Sequence, residues 1–588
     1  MIDRWPPLAP GLHSIDFDGG RVRLLLALGD VAAMLPEWVA RVDAFYLTGF
    51  ASAHRAGPPP QRQPSRCPDD GGLRDTDRRD TAPCGINPCD PPWDRRQLRR
   101  LTRLAAPDAT LATPCLQPAV RAGLAAAGFS VAPAPRTATA PALTLGRFAP
   151  RFQALPPPGR QPLAAFSGWA GASTGPPASA VVAVIGAGLA GAAVARALAL
   201  LGVPVRVFER QNSAAGETSG NAGGLFHGIV HGHDGPHARW LRSAALHTER
   251  LLRPLIHSGQ VPGAIDGLLR GEQTLDAGAM QRLVHRLGLP ADFVQVRAHG
   301  LAGGPAWFYP GGGWVAPAGL CTHWLGAPGI TCHFNSAVQQ LMAIPAGWRL
   351  IGAHGHGLAD VAAVVLCNAS DASRLLGQPG WPLHRVRGQT TELPASTPGL
   401  PALPLPLADT GYALRLADGR LLCGGSAGAE GDLAVAGWAD AGHAGCDPAD
   451  DESASLRADD HARHLAILRR LTGWAGAVDL STLQGRVGWR LQSDDRLPVL
   501  GPVPVPAAAG AAAGALPRQD QPRFVPRQPG LYVFTALGSR GITQAALGGE
   551  LLAGWITGAP LPVPSSLLDA LDPARFIARA ARRPATTD

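Results

Sequence analysis

The period of the apolar positions changes along the chain, and each change marks an element. Residues 181–185 are an unbroken apolar run of strand length, as expected for a strand buried on both faces of a parallel sheet. After Gly186-Ala187-Gly188-Leu189-Ala190-Gly191, residues 192–201 are rich in Ala and Leu with one Arg, a helix that Gly202 ends. Residues 203–208 return to a strand pattern and deliver Glu209. Residues 238–252 have an amphipathic helical period, and 543–556 follow a strand and glycine turn as a second apolar helix. At the front, residues 12–17 and 21–26 alternate around Asp18-Gly19-Gly20, which predicts a hairpin. Gly29-Asp30 then leads into a helix, and residues 41–47 read as a buried strand. A helix near 97–104, a strand at 109–113 and a closing helix and strand over 121–131 complete the N-terminal part.

The spacing within this pattern carries chemistry. Gly186 permits a tight turn, Gly188 lets backbone amides approach a pyrophosphate, and Gly191 lets the helix pack close to the sheet. Leu189 and Ala190 begin the helix, whose N-terminus faces the diphosphate with its partial positive charge. Glu209, with Arg210 beside it, stands about 20 residues after the glycines, where an acid accepts hydrogen bonds from a ribose. A lone glycine triplet is a weak signal; here strand, helix, second strand and acid all agree with it. Ser219, Gly220, Asn221 and Gly223 form a loop of small residues that leaves room for a cofactor and offers donors to phosphate or ribose.

Composition narrows the classes. The 588 residues, 46% hydrophobic and 16% charged, predict two to four folded domains. The formal charge of +8 permits an anionic partner such as RNA without identifying one. All 52 Lys-plus-Arg cations are arginine, which excludes a lysine Schiff base and a P-loop lysine. Nine cysteines at irregular spacing, with no signal peptide, suit a reducing cytoplasm, and no stretch reads as a membrane span. Cys67, Cys84 and Cys89 lack a histidine at metal spacing, and His227, His231 and His233 lack a completing carboxylate; no metal site is expected, and the histidines are read as surface or substrate-side. Trp307, Phe308, Tyr309 and Trp314 either stack on a nucleobase or form a core cluster.

Beyond these readings the chain resembles a known family. Trp5-Pro6-Pro7-Leu8, Pro10-Gly11-Leu12-His13 and Val42-Asp43-Ala44-Phe45-Tyr46-Leu47-Thr48 look like the second half of the methyltransferase domain in the bifunctional tRNA 5-methylaminomethyl-2-thiouridine biosynthesis proteins, MnmC. Two departures bear on methyl transfer. The glycine-rich turn that holds S-adenosylmethionine in the family would lie upstream of residue 1, and Thr48 and Ser52 stand where the family has an acid and a proline. A threonine cannot supply a carboxylate's charge or proton acceptance, so S-adenosylmethionine binding and methylation are expected to be lost.

From 179 to 579 the resemblance is to the flavin half of that family and to amine oxidases of the D-amino-acid oxidase and glycine oxidase type. It implies FAD, with Val338 on the adenine side, Asn368 at the end of the returning strand, and Gly538, Ser539, Gly541 and Ile542 seating the flavin. In glycine and sarcosine oxidases the arginine matching Arg490 binds the substrate carboxylate, and Arg540 and Gln389 are further site candidates. Arg385 and Arg387 either position substrate or pair with carboxylates. The implied architecture is α/β: a partial Rossmann-like methyltransferase remnant over 1–150 with an inserted loop at 57–92, a linker at 151–178, a two-subdomain FAD domain over 179–579 and a tail at 580–588. The implied substrate is a carboxymethylaminomethyl group on the wobble uridine of tRNA. Two other readings stay open on the residues alone: an oxidase of free glycine, sarcosine or D-amino acids, and a non-catalytic tRNA-binding remnant.

Overall fold

The computed structural model describes residues 5–17, 22–48, 93–134, 142–152, 155–166, 180–426, 454–506 and 518–582. The turn at 18–20, Ser52, the inserted segment with its three cysteines and half of the linker lie outside these residues. The chain packs as two compact units: residues 1–29, 37–40 and 155–588 form the first, and 30–36 with 41–154 the second.

The first unit is built on a six-stranded sheet. Its order is Ile330–His333, Val205–Phe208, Val182–Ile185, Ala363–Leu366, Arg527–Thr535 and Val499–Pro504; the first five strands run parallel and the last is antiparallel. The unbroken apolar run of the central strand follows from two covered faces. Val182 and Val184 pack with the helices Leu189–Leu200 and Gly541–Thr557, while Ala183 and Ile185 meet Trp348, Leu350 and Val361 of a three-stranded meander. The two helices cross closely at Gly549, where a Cβ would lie 2.6 Å from the Ala193 carbonyl.

A second, eight-stranded sheet in the same unit runs in the order Gln295–Leu301, Gly304–Tyr309, Leu268–Gly271, Leu407–Ala408, Gly411–Arg415, Leu421–Ser426, Leu383–Leu393 and Gln484–Ser493. Helix Ala458–Thr472 covers part of it through Leu465, Leu468 and Leu471. Its His464 and His461 both meet the Thr391 hydroxyl, at 2.7 and 2.8 Å.

The predicted N-terminal hairpin forms as Gly11–Phe17 paired with Val22–Leu28. It packs within the first unit, against the middle of helix Gly541–Thr557. The Ser14 hydroxyl donates to Glu550 at 2.5 Å, Arg23 lies 2.7 Å from Asp16 and 3.5 Å from Glu550, and Arg250 donates to the Ser14 carbonyl. His247 completes the cluster, 3.2 Å from Glu550.

Burial holds His247 and His464 neutral, each pushed down to about 4. Both imidazoles regain the ordinary affinity for a proton on unfolding, so the unfolded chain binds more protons between pH 6.5 and 4, and stability falls as pH falls through that window. Unfolding free energies from urea titrations at pH 7.5 and pH 5 are expected to differ by on the order of a few kcal/mol, the lower pH being less stable. His464→Gln should flatten that dependence. A pH-independent midpoint over this range would remove the assignment.

The second unit holds a four-stranded sheet in the order Val42–Tyr46, Ala105–Thr113, Leu143–Phe148, Phe129–Ala134, with only the first pair parallel. Phe45, Phe129 and Phe148 pack edge-on and tilted at its core, with centroids 5.9 and 5.1 Å apart. The strand expected to be buried is an edge strand among the described residues. With one neighbour, it buries Phe45 and leaves Tyr46 81% exposed.

Candidate functional site

A cavity of about 630 Å³ in the first unit is lined by residues of both its six-stranded and its eight-stranded sheet. At one end, the strand Val182–Ile185 runs into Gly186 (φ +102°), where a Cβ would stand 2.8 Å from the Cys367 carbonyl oxygen. Gly188 caps helix Leu189–Leu200 in an extended conformation, and the Leu189 amide donates to the Ser219 hydroxyl at 3.1 Å. The Glu209 carboxylate accepts from the amides of Ala187 and Gln211, at 2.8 and 2.9 Å, one on each oxygen. These amides fix its orientation at the cavity wall and leave lone pairs for two further donors.

The loop of small residues is tied to the second sheet. Thr218 donates to the Trp489 carbonyl at 2.8 Å, and Arg486 donates to the carbonyls of Gly216 and Glu217. Arg210 lines the cavity while paired with Glu217 at 2.5 Å. Val338 and Asn368 also line it. Arg374 fixes the Val338 and Gln339 carbonyls, and Asn368 donates to Asp371 but keeps its side-chain oxygen buried without a partner.

Gly538, Ser539, Arg540, Gly541 and Ile542 border the cavity where strand Arg527–Thr535 gives way to helix Gly541–Thr557. Arg540 lies 3.2 Å from His227 Nε2. A guanidinium only donates, so Nε2 is the acceptor, and the proton sits on Nδ1, which donates to the Gly228 carbonyl at 2.5 Å. Burial, then the charges of Arg540 and Arg270, hold His227 well below the usual imidazole range and therefore neutral.

Arg490 lies on strand Gln484–Ser493, opposite Val386 of Leu383–Leu393. Its guanidinium covers Gly388, where a Cβ would come within 2.6 Å of Nη2. Among the described residues it has no carboxylate and no hydrogen-bond acceptor, unlike Arg387 and Arg486. Arg387 pairs with Asp460 at 2.6 Å, Arg486 holds the loop, and Arg385 sits over the Trp489 ring at 5.5 Å. Tyr412 lines the same wall, its phenol pushed up to about 12 by burial while Arg490 pulls the other way.

Most of the residues singled out from sequence line this one cavity; three stand apart in place or engagement. Gly191 does not line it; a Cβ there would sit 1.8 Å from the Gly186 carbonyl oxygen, so its role is to let helix and turn touch. Gly220 is also outside, wedged between the Ala215 carbonyl and the Arg486 guanidinium. Gln389 reaches the wall, but its amide is engaged with the backbone N–H and carbonyl of Arg457, at 2.9 and 3.0 Å, and so holds two segments of the chain together. Trp307, Tyr309 and Trp314 are buried core residues, with the Trp307 indole donating to Glu272. His231 and His233 are exposed, and no group of metal-binding side chains occurs among the described residues. Arg270, Tyr412 and the buried placement of His227 went unread, because only long-range pairing brings them to the wall.

The cradle fits an extended dinucleotide such as FAD. The glycine turn admits no Cβ, a fixed carboxylate stands at the end of the second strand, and the cavity continues from there to a second helix N-terminus and a wall of guanidinium groups. Fold and site together define an oxidoreductase of the dinucleotide-binding class with a separate eight-stranded sheet. A family model described as FAD dependent oxidoreductase matches residues 182–555, and one described as S-adenosyl-L-methionine-dependent methyltransferase matches residues 1–56. Proteins named tRNA 5-methylaminomethyl-2-thiouridine biosynthesis bifunctional protein MnmC are similar over nearly the whole chain. That of Methylibium petroleiphilum is 40% identical across 98% of this chain and 81% of its own length, and that of Burkholderia vietnamiensis 38% identical across 99% and 81%. The chain belongs to this MnmC family, its larger part being an FAD-dependent oxidoreductase. Among solved structures, glycine oxidase from Geobacillus kaustophilus is 20% identical over 64% of this chain and 94% of its own, with a TM-score of 0.47. No described helix is long and apolar enough to cross a membrane.

Proposed function

We propose that this protein binds FAD and, in the cytoplasm, removes the carboxymethyl group from carboxymethylaminomethyl-(2-thio)uridine at the wobble position of tRNA. The products are aminomethyl-uridine and glyoxylate. The observation that carries this reading is the unpaired guanidinium of Arg490, in the same cavity as the dinucleotide cradle.

FAD, when bound, supplies the two-electron acceptor for amine oxidation. The protein's part is placement. Arg490 grips the substrate carboxylate through two parallel hydrogen bonds, and the fixed carboxylate fixes the methylene beside it. Arg270, Arg490 and Arg540 line one cavity, and their charges disfavour a substrate ammonium, keeping the amine in the neutral form that oxidation needs. His227, neutral and already accepting from Arg540, holds that arginine at the wall and takes no proton itself. Loss of a hydride and a proton converts the CH2–NH unit to CH=N. Water then adds across this bond and the C–N bond breaks, which releases glyoxylate and the aminomethyl group.

Methyl transfer is proposed to be lost. Thr48 stands in the acid's place, exposed, with its carbonyl accepting from the Trp93 indole at 2.8 Å. Incubation with tRNA bearing carboxymethylaminomethyl-uridine, followed by nucleoside mass spectrometry with and without S-adenosylmethionine, tests both statements. Aminomethyl-uridine in both samples is the expected product. A methylaminomethyl product would overturn the second statement. An unchanged nucleoside, with flavin bleached instead by free glycine or sarcosine, would overturn the first.

A further inference from the structure

Five of the nine residues from Arg95 to Arg103 are arginine. They lie on helix Arg95–Arg100 and the single 3-10 turn Leu101–Arg103 of the second unit. Leu98 and Leu101 are buried beneath, which fixes the opposite face toward solvent. Arg100 and Arg103 are committed to structure: they donate to the carbonyls of Ala32, Leu35 and Pro36. Arg95, Arg96 and Arg99 are exposed and have no acceptor or carboxylate partner among the described residues. The one acid of the segment, Asp94, is engaged in capping the helix through the amides of Arg96 and Gln97.

Stability does not account for this arrangement. Arg95 and Arg99 repel one turn apart, as do Arg96 and Arg100 and then Arg99 and Arg103, and two of these cations sit at the positive end of the helix dipole. The described part of this unit carries nine arginines against four aspartates, so those described residues add no net compensating charge. Closely spaced, unpaired guanidinium groups on a rigid helix match the spacing and geometry of successive phosphates, to which they donate bidentately. We propose that this helix face is a docking surface for the phosphate backbone of tRNA, gripped through Arg95, Arg96 and Arg99. The inference rests on the tRNA reading above and assigns to the second unit a role independent of methyl transfer.

The test uses the full-length flavin-bound protein and unmodified tRNA, with binding followed by fluorescence anisotropy across a potassium chloride series. Each phosphate contact contributes about 0.7 to 0.9 to the slope of log affinity against log salt. The triple variant Arg95→Gln, Arg96→Gln, Arg99→Gln is expected to lower that slope by about two to three and to weaken binding roughly tenfold or more near 0.1 M salt. Its thermal midpoint should be unchanged or higher, since like charges have been removed, and its flavin content unaltered. The matching triple lysine variant keeps the charge and should keep most of the slope. Parental slope and affinity in the glutamine variant would overturn the proposal. If the parent itself shows no salt-dependent tRNA binding, the tRNA reading fails as well, which the glutamine variant alone would not reveal.

Discussion

Replacing Arg490 by glutamine is expected to lower kcat/KM for the carboxymethylaminomethyl substrate by about 10²- to 10⁴-fold. The figure follows from two charge-assisted hydrogen bonds to a carboxylate, together worth about 3 to 5 kcal/mol in a site closed to water. Arg490 has no structural acceptor among the described residues, so its removal leaves no protein carboxylate stranded, and the loss is expected in catalysis with little change in folding. Arg490→Lys keeps a charge but not the planar fork and should recover only part of the activity. Gly388→Ala offers an independent route to the same defect, because its methyl group would occupy space within 2.6 Å of the guanidinium. Flavin absorbance should be retained in all three. Steady-state kinetics giving kcat/KM within threefold of the parent for Arg490→Gln would sink the carboxylate role.

Gly191→Ala should produce a protein without bound flavin, poorly soluble or colourless on purification. The added Cβ would fall 1.8 Å from the Gly186 carbonyl oxygen, a backbone atom that yields only if the glycine turn itself moves. Overpacking of this kind costs about 1 to 3 kcal/mol even where side chains can yield, and here the displaced backbone is the cofactor cradle. Gly220→Ala is the informative contrast. Its Cβ would meet the Ala215 carbonyl at 2.5 Å, but its other close neighbour is the movable end of Arg486. A milder loss of flavin is expected there. Full flavin occupancy in Gly191→Ala, read as the ratio of visible to ultraviolet absorbance, would remove the packing argument.

These two residues mark what was and was not legible in the sequence. Gly191 was readable because its constraint is local: a strand, a turn and a helix within a dozen residues leave one position that tolerates no side chain. Arg490 was not readable from its own neighbourhood. Arg385, Arg387, Arg486 and Arg490 lie within two short stretches, and nothing in either stretch separates the free one from the engaged ones. Asp460, the Gly216 carbonyl and the Trp489 ring make that separation, all three across long sequence distances. A resemblance pointed to Arg490; the fold adds that it has no acceptor among the described residues. Gln389 illustrates the converse, a residue in a suggestive run whose amide is tied to the backbone of Arg457. Arg270 and Tyr412 sit on strands with no motif, and only the pairing of the eight-stranded sheet carries them to the cavity.

The N-terminal hairpin has a consequence for how such a gene can change. Its alternating pattern was evident, but its docking on Glu550, more than 500 residues further along, was not. Glu550 is buried in the middle of the helix whose first turn borders the cavity, and stripping away Ser14 and Arg23 would leave a carboxylate without two of its partners. Selection on the oxidoreductase therefore extends to residues 11–28 even where methyl transfer no longer matters. Mutational drift in the front half should be asymmetric, strict before residue 29 and relaxed after residue 41 except on the arginine face of residues 95–99. A fission that released the oxidoreductase as a separate gene would succeed only if it carried the hairpin's codons with it.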